Sequence, residues 1–178
     1  LVMGDRTVVR EYATLNRGTR ASGRTVVGSD CLIMAYAHVA HDCDIGNHVV
    51  LSNAVNMGGH VVIEDWAMVG GLTAIHQFVR IGAHSFCGGG SRVPQDIPPY
   101  LKVAGNPVKL YGLNKVGLER RGVSEDVKLA LKQAYQLLFQ SKLTLSRALD
   151  VATEEVEPIP EVRHLLTFIR SSERGVTT

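Results

Sequence analysis

The sequence has little that would crowd an interior or cross a membrane. Aromatic residues make up 6% of its 178 positions. No apolar run reaches the roughly 18 residues of a membrane-spanning helix, so an integral membrane segment is not expected. Neither sign of charge dominates: 19 basic against 17 acidic residues leave +2. That excludes a polycation coating nucleic acid. Three cysteines cannot all pair, and none stands in a Cys-x-x-Cys motif, so no disulfide framework is present. A reducing, cytoplasmic setting is the expectation. Leu1-Val2-Met3-Gly4-Asp5 lacks the charged and then apolar regions of a signal peptide. What is abundant is glycine, at 18 residues, which points to a backbone that turns often.

A six-residue period organises the first half. Stepping by six from Met3 to Val93, fourteen of sixteen residues are Val, Ile, Leu or Met. The residue four places after each, from Thr7 to Ile97, is always small or β-branched. A helix would need a period near 3.6 and a simple strand a period of 2. The pattern predicts a parallel β-helix whose aliphatic and small columns point into a narrow prism. Glycine often follows the aliphatic residue, as at Gly28, Gly46, Gly58, Gly70 and Gly82, and is expected there to supply the corner dihedrals. Three hexads close one coil, so residues 18 apart stack at the strand spacing of about 4.8 Å.

The period falters at Arg20 to Val26, which reads as a protruding loop. It ends at Pro94, and Pro98-Pro99 and Pro107 mark an exit segment. Helical spacing then takes over. Ser124 is a candidate N-cap followed by Glu125 and Asp126. Further helices are expected from Thr144 and from about Pro160. The chain is therefore mainly β with an α-helical C-terminal domain: a β-helix over 1–100, a connector over 101–122, and a small helical bundle over 123–178.

Six of the seven histidines lie in the repeat. Adding 18 to His41 gives Gly59, and adding 18 to Asp42 gives His60. The repeat alone thus stacks two histidines, a carboxylate and a glycine N–H; one coil on lie His76 and Gln77. These parts suit acyl transfer. A histidine, with an ordinary pKa of about 6.5, takes a proton from a hydroxyl at neutral pH. A carboxylate holds its tautomer, and a free backbone N–H stabilises an oxyanion. No serine or cysteine is placed as a nucleophile, so direct attack by the acceptor hydroxyl is expected. The rival reading is a zinc-dependent enzyme like the γ-class carbonic anhydrases, but no two histidines are five apart as that family requires. A non-catalytic trimeric scaffold or inactive fragment is the other alternative.

His38-Val39-Ala40-His41-Asp42-Cys43, Gly58-Gly59-His60 and Ile75-His76-Gln77-Phe78 resemble the acyl-[acyl-carrier-protein]–UDP-N-acetylglucosamine O-acyltransferases of lipid A biosynthesis in Gram-negative bacteria. So do Gln95-Asp96-Ile97-Pro98-Pro99-Tyr100, Gly105-Asn106-Pro107 and the run from Gly112-Leu113-Asn114 to Gly117-Leu118-Glu119-Arg120-Arg121-Gly122. The resemblance implies a left-handed parallel β-helix, against the usual crossover hand, assembled as a homotrimer with active sites between subunits. It implies His41 as general base, Asp42 as its orienting partner and Gly59 as oxyanion donor. His38, His60, His76 and Gln77 match sugar or phosphopantetheine contacts. Asn114, Arg120 and Arg121 match the nucleotide and diphosphate region, and Gly89 the acyl-length ruler. The implied partners are acyl carrier protein and UDP-N-acetylglucosamine. No cofactor of the enzyme's own is implied, since the acyl chain arrives on the carrier's phosphopantetheine.

Two departures accompany the match. Val116 stands where members often carry glutamate near the uracil, and the family has further coils before the point matching Leu1. Arg17, Arg20, Arg24, Arg80, Lys102, Lys109, Lys128 and Lys132 are candidates for docking an acidic carrier protein. Cys31, Cys43 and Cys87 fall in inward columns as reduced core residues, and His164 reads as structural.

Overall fold

The computed structural model describes residues 1–178. Residues 2–93 form fifteen strands of two residues each, wound as five triangular coils. In each of these two-residue strands from Val26–Val27 onward, the second residue is the inward residue of the hexad, aliphatic except at Cys87, and is buried. Two residues suffice for a strand here because every ladder is continued by the coils on either side.

Three parallel sheets make the faces of the prism. The first carries Val2–Met3, Val26–Val27, Asp44–Ile45, Val62–Ile63 and Arg80–Ile81. The second includes Leu32–Ile33, Val50–Leu51, Met68–Val69 and Phe86–Cys87, and the third His38–Val39, Asn56–Met57, Ala74–Ile75 and Arg92–Val93. From Val26 on, strand partners are 18 residues apart, as with Val62↔Arg80. Between the first two coils the offset is 24, as with Thr14↔His38. One hexad, the faltering one around Ala21, is looped out of the coil.

The core of the prism is a single column of buried side chains, among them Ile33, Val39, Ile45, Leu51, Met57 and Ile63. Burying each stabilises the fold by about 1.5–3 kcal/mol relative to leaving it in water. Cys31, Cys43 and Cys87 are free and buried among them. Burial pushes all three thiols up, Cys87 to about 11.

The glycines play a different part from the one expected. The corner residues with positive φ are mostly not glycine but Asp42, His48, Ala54, His60, Trp66, Leu72, Phe78 and His84. They recur three places after the inward aliphatic. The glycines directly after that aliphatic serve close approach instead. A Cβ at Gly28 would lie 2.4 Å from Gly46 O, and one at Gly58 2.8 Å from the Gln77 N.

The connector does not leave the prism. Leu101–Ala104 pairs in parallel with Phe86–Cys87, and Lys109–Leu113 returns antiparallel to it, so both extend the second face. Val108 joins the prism core at this end. At the other end Val2, Met3, Val8 and Val9 are exposed.

Four helices follow: α1 (Lys115–Arg120), α2 (Glu125–Tyr135), α3 (Leu145–Glu155) and α4 (Pro160–Arg170). Ser124 and Thr144 cap α2 and α3 through their hydroxyls, and Pro160 opens α4. The short α1 was not anticipated, and α2 passes into a π turn over Gln136–Gln140. The helices share a second core around Leu118, Leu131, Leu165 and Phe168, to which Tyr100 and Leu101 contribute.

Polar contacts fasten helices to prism. Buried Asp96 accepts from Arg80 N (2.8 Å) and Ser172 Oγ (2.7 Å), and its carbonyl accepts from Thr177 N (2.8 Å). His164 on α4 meets Glu64 on the first face at 2.9 Å and Tyr100 Oη at 2.9 Å. Burial alone would raise the Glu64 carboxyl, but the His164 hydrogen bond and Ala83 N–H outweigh it and hold it below its ordinary range. A depressed carboxyl stabilises the fold above its unfolded pKa, and the contribution disappears as pH falls through the folded value. Glu64→Gln should therefore lose about 1.5–3 kcal/mol at pH 7, as expected for a charged hydrogen bond. Thermal melts should show a deficit that narrows below about pH 4.

Candidate active site

His41 and Asp42 form the corner between His38–Val39 on the third face and Asp44–Ile45 on the first. Gly59 and His60 form the same corner one coil on, and His60 N–H donates to His41 O at 3.1 Å. The 18-residue stacking expected from the repeat is what the structure contains.

The Asp42 carboxylate has no exposed side-chain surface. Its Oδ1 accepts from Thr19 N (2.9 Å) and from the Ser22 hydroxyl. Its Oδ2 accepts from Thr19 Oγ1 (2.6 Å) and lies 2.7 Å from His41 Nδ1. Four donors thus occupy the four lone-pair sites a carboxylate offers. The Ser22 and Thr19 hydrogen bonds, then that of His41, hold Asp42 far below the usual carboxylate range. An ionised Asp42 can only accept, which assigns the proton at this contact to His41 Nδ1. The Nε2 lone pair of neutral His41 is then free to act as a base.

That ring sits over Gly59. A Cβ built there would lie 2.6 Å from His41 Cε1 and 2.9 Å from Nε2. The Gly59 N–H donates to nothing in the chain. Base and unpaired donor are therefore neighbours because position 59 has no side chain.

The flanking residues lie along the same edge. His60 Nε2 is 3.8 Å from Asp42 Oδ2, and its ring meets His41 edge-on at 5.3 Å between centroids. His60 also stacks on Phe78 at 4.8 Å. His38 Nδ1 is 2.7 Å from Thr14 Oγ1. Exposed His76 turns Nδ1 to Gln77 O at 3.0 Å. His38, His41, Asp42, Gly59, His60, His76 and Gln77 thus belong to one edge of the prism.

Asn114, Arg120 and Arg121 do not join them. Asn114 Nδ2 donates to His84 O (2.9 Å) on the corner between the first and second faces, and its Oδ1 caps α1 through Gly117 N. Arg120 and Arg121 line a cavity of about 440 Å³ with Met68, Phe86, Lys102 and Lys115. Val116 lines it as well. The Arg121 guanidinium rests 5.3 Å from the Trp66 ring. Gly89 is on the third edge, where Gly71 O would be 3.0 Å from a Cβ. Within one chain the predicted residues occupy three different edges.

Thr19, Ser22 and Trp66 escaped sequence reasoning. A signal for the first two existed: once the looped hexad is counted, 42 minus 24 is 18, so the loop begins beneath Asp42. Two basic docking candidates are already engaged. Lys128 is buried against Glu125, and Arg80 lies 4.2 Å from the Phe168 ring centroid.

His41, Asp42 and His60 each offer one potential metal ligand, the three atoms lying within 4.8 Å of one another. The donor set does not suit a metal. Both Asp42 oxygens are filled by hydrogen bonds, and His41 Nδ1 is committed to one of them.

The profile of a family described as "Udp N-acetylglucosamine O-acyltransferase; Domain 2" matches residues 96–177, and that of the bacterial transferase hexapeptide matches 24–59. An acyl-[acyl-carrier-protein]–UDP-N-acetylglucosamine O-acyltransferase of Syntrophobacter fumaroxidans is 51% identical over 99% of this chain and 69% of its own length. The chain belongs to this family. The Myxococcus xanthus relative of the same name is 48% identical over the same shares. Among solved structures, the Francisella novicida UDP-N-acetylglucosamine acyltransferase superposes with a TM-score of 0.95 at 34% identity. It is covered over 65% of its length and this chain over 99%. The Campylobacter jejuni UDP-N-acetylglucosamine acyltransferase gives 0.94 at 37% identity, covering 99% of this chain and 70% of that one. The chain thus spans about two thirds of the length of these family members. As in the family, its coils form a left-handed β-helix.

Proposed function

We propose that this chain transfers a (3-hydroxy)fatty acyl group from acyl carrier protein to the 3-hydroxyl of UDP-N-acetylglucosamine, the first step of lipid A biosynthesis. The observation that carries this reading is a histidine Nε2 left free by an Nδ1–H···Asp42 bond, beside the unpaired Gly59 N–H. His41 Nε2 takes the proton of the acceptor hydroxyl as its oxygen attacks the thioester carbonyl. Gly59 N–H receives the developing oxyanion. Collapse breaks the carbon–sulfur bond, and the proton on His41 goes to the departing phosphopantetheine thiolate. No cofactor of the enzyme's own takes part in this sequence.

Direct attack is favoured because no other nucleophile is ready. The three thiols are buried and their pKa values raised. The Thr19 and Ser22 hydroxyls donate to Asp42, so neither is activated by His41.

A single chain holds the base on one edge and the Arg120–Arg121 cavity near another. We infer a homotrimer in which one subunit's His41, with His38, His60, His76 and Gln77, faces an adjoining subunit's Asn114, Arg120 and Arg121. Arginine pairs well with diphosphate oxygens through two parallel hydrogen bonds. Arg120 is exposed and free to do so. Arg121 is held against Trp66, and burial draws it below its ordinary value. Replacing both by alanine should raise KM for the nucleotide sugar about 100-fold, at about 1.5 kcal/mol per lost contact to charge. Steady-state kinetics with varied UDP-N-acetylglucosamine reads this out. Gly89 would leave the acyl end of the groove open to a long chain, and exposed Arg17, Arg20 and Arg24 suit an acidic carrier. No helix is long and apolar enough to cross a membrane. A cytoplasmic setting fits a substrate delivered on acyl carrier protein.

The test is mass spectrometry of UDP-N-acetylglucosamine incubated with the chain and a panel of plain and 3-hydroxylated acyl carrier thioesters. A singly acylated nucleotide sugar is expected. Absence of product from an assembled trimer would reject the proposal for this chain.

A further inference from the structure

The looped-out hexad ends in a contact that the repeat does not require. It leaves the coil after Asn16, reaches Thr19 and Ser22, and rejoins at Thr25 with a 24-residue offset. Its polar groups converge on one target. Thr19 N and Thr19 Oγ1 donate to different oxygens of Asp42, at 2.9 and 2.6 Å, and Ser22 Oγ donates as well. Thr25 Oγ1 accepts from Asp42 N at 2.8 Å. Thr19 Oγ1 in turn accepts from Ala21 N at 3.2 Å, so the loop braces this donor itself.

Resting on the reading above, we propose that Thr19 and Ser22 are positioning residues for acyl transfer: they clamp the Asp42 carboxylate in the plane and rotamer that present Oδ2 to His41 Nδ1. Asp42 sits at a left-handed corner, φ 60°. Its side chain leaves the backbone at the turn of the prism, where no neighbour on its own coil fixes its torsions. Three of its four bonds come from the loop, and the fourth is the one that matters for His41. Loss of the loop bonds frees the carboxylate to rotate or take up water. His41 then samples the tautomer with Nδ1 bare and Nε2 protonated, which cannot accept the acceptor's proton. The hydroxyls of Thr19 and Ser22 suit this task better than a lysine or arginine would. Hydroxyls fill the lone pairs without neutralising the charge that stabilises the imidazolium.

The test combines turnover with a spectroscopic readout, using Thr19→Val, which keeps the side-chain shape, together with Ser22→Ala. The double variant should lose about tenfold in kcat or more, as expected when a positioning contact of about 1.4 kcal/mol is lost. KM for both substrates should stay near those of the parent, and any fall in melting temperature is separated from the loss of kcat by the tautomer readout below. Thr19→Ser should restore kcat. In an Asp42→Asn background the same two replacements should cost nothing further, because their effect passes through the carboxylate. Nitrogen NMR of labelled histidine should show His41 shift from the Nδ1–H tautomer toward the Nε2–H one in the double variant, whether or not substrate is present. Full kcat and an unchanged His41 tautomer would overturn the clamp, as would an equal loss in the Asp42→Asn background. A His41→Ala variant that still turned over would instead remove the base assignment, so the two failures are separable.

Discussion

Replacing His41 by alanine is expected to lower kcat by about 10²–10⁴-fold, the usual contribution of a positioned general base. The fold should survive. The His41 side chain is 44% exposed, its backbone makes the same ladder bond as other corners, and the prism core lies beneath it. The loss should therefore appear in kcat with a normal melting temperature. Asp42→Asn should act in the same direction through the tautomer, because an amide can offer a donor where His41 Nδ1 needs an acceptor. Steady-state kinetics and thermal melts on the purified variants check both. An alanine variant retaining most of its turnover would mean that another group takes the proton.

The second large effect is expected at Gly59. Adding one methyl group places a carbon 2.6 Å from His41 Cε1, closer than any real contact. The prism cannot yield, since Gly59 O and the neighbouring His60 N belong to ladder bonds that run through three coils. The ring of His41 must move instead, and the methyl group also crowds the N–H proposed to meet the oxyanion. Loss of one such donor alone costs about 10²–10³-fold in kcat, and displacement of the base adds to it. Gly59→Ala should thus be nearly as damaging as His41→Ala, although it removes no functional atom. The φ of Gly59 is not in the left-handed region, so backbone strain is not the reason. A Gly59→Ala variant with parent-like kcat would show that the base works from somewhere other than above this glycine.

Much of this site could be read from the chain because the β-helix converts spacing into proximity. Once the period of six was recognised, His41 and Gly59 had to stack, and Asp42 and His60 beside them. The C-terminal helices were marked by Ser124, Thr144 and Pro160. Four features resisted. The corner conformation fell on Asp42, His60 and their equivalents rather than on the glycines. Asp and His tolerate the left-handed region better than most residues. Along two of the edges the corner histidines stack with Phe78 or Trp66, and those contacts help offset the strain. The loop around Thr19 was visible as an interruption, but an interruption does not say where its hydroxyls return. The strands at Leu101–Ala104 and Lys109–Leu113 carry no hexad pattern, since they close the prism instead of continuing it. Lys128 looked like surface charge, yet its stem is packed along α2 with its ammonium on Glu125.

The separation of His41 from Arg120 and Arg121 carries the other half of the account. Hexapeptide columns assign each residue to an edge, and no rearrangement of one prism brings different edges together. With the proposed homotrimer supplying the missing neighbour, the nucleotide affinity and the oligomer should be lost together when the subunit contact is broken.

The most direct test of the central claim follows the acyl group itself. A turnover reaction with UDP-N-acetylglucosamine and a 3-hydroxyacyl carrier thioester is quenched at successive times. Intact-protein and small-molecule mass spectrometry are then run on the same samples. Acyl mass is expected on the sugar's 3-hydroxyl at a rate that falls by about 10²–10⁴-fold in His41→Ala, with none on the protein at any time. Acyl mass that builds on the protein and decays into product, or product formation undiminished in His41→Ala, would contradict it.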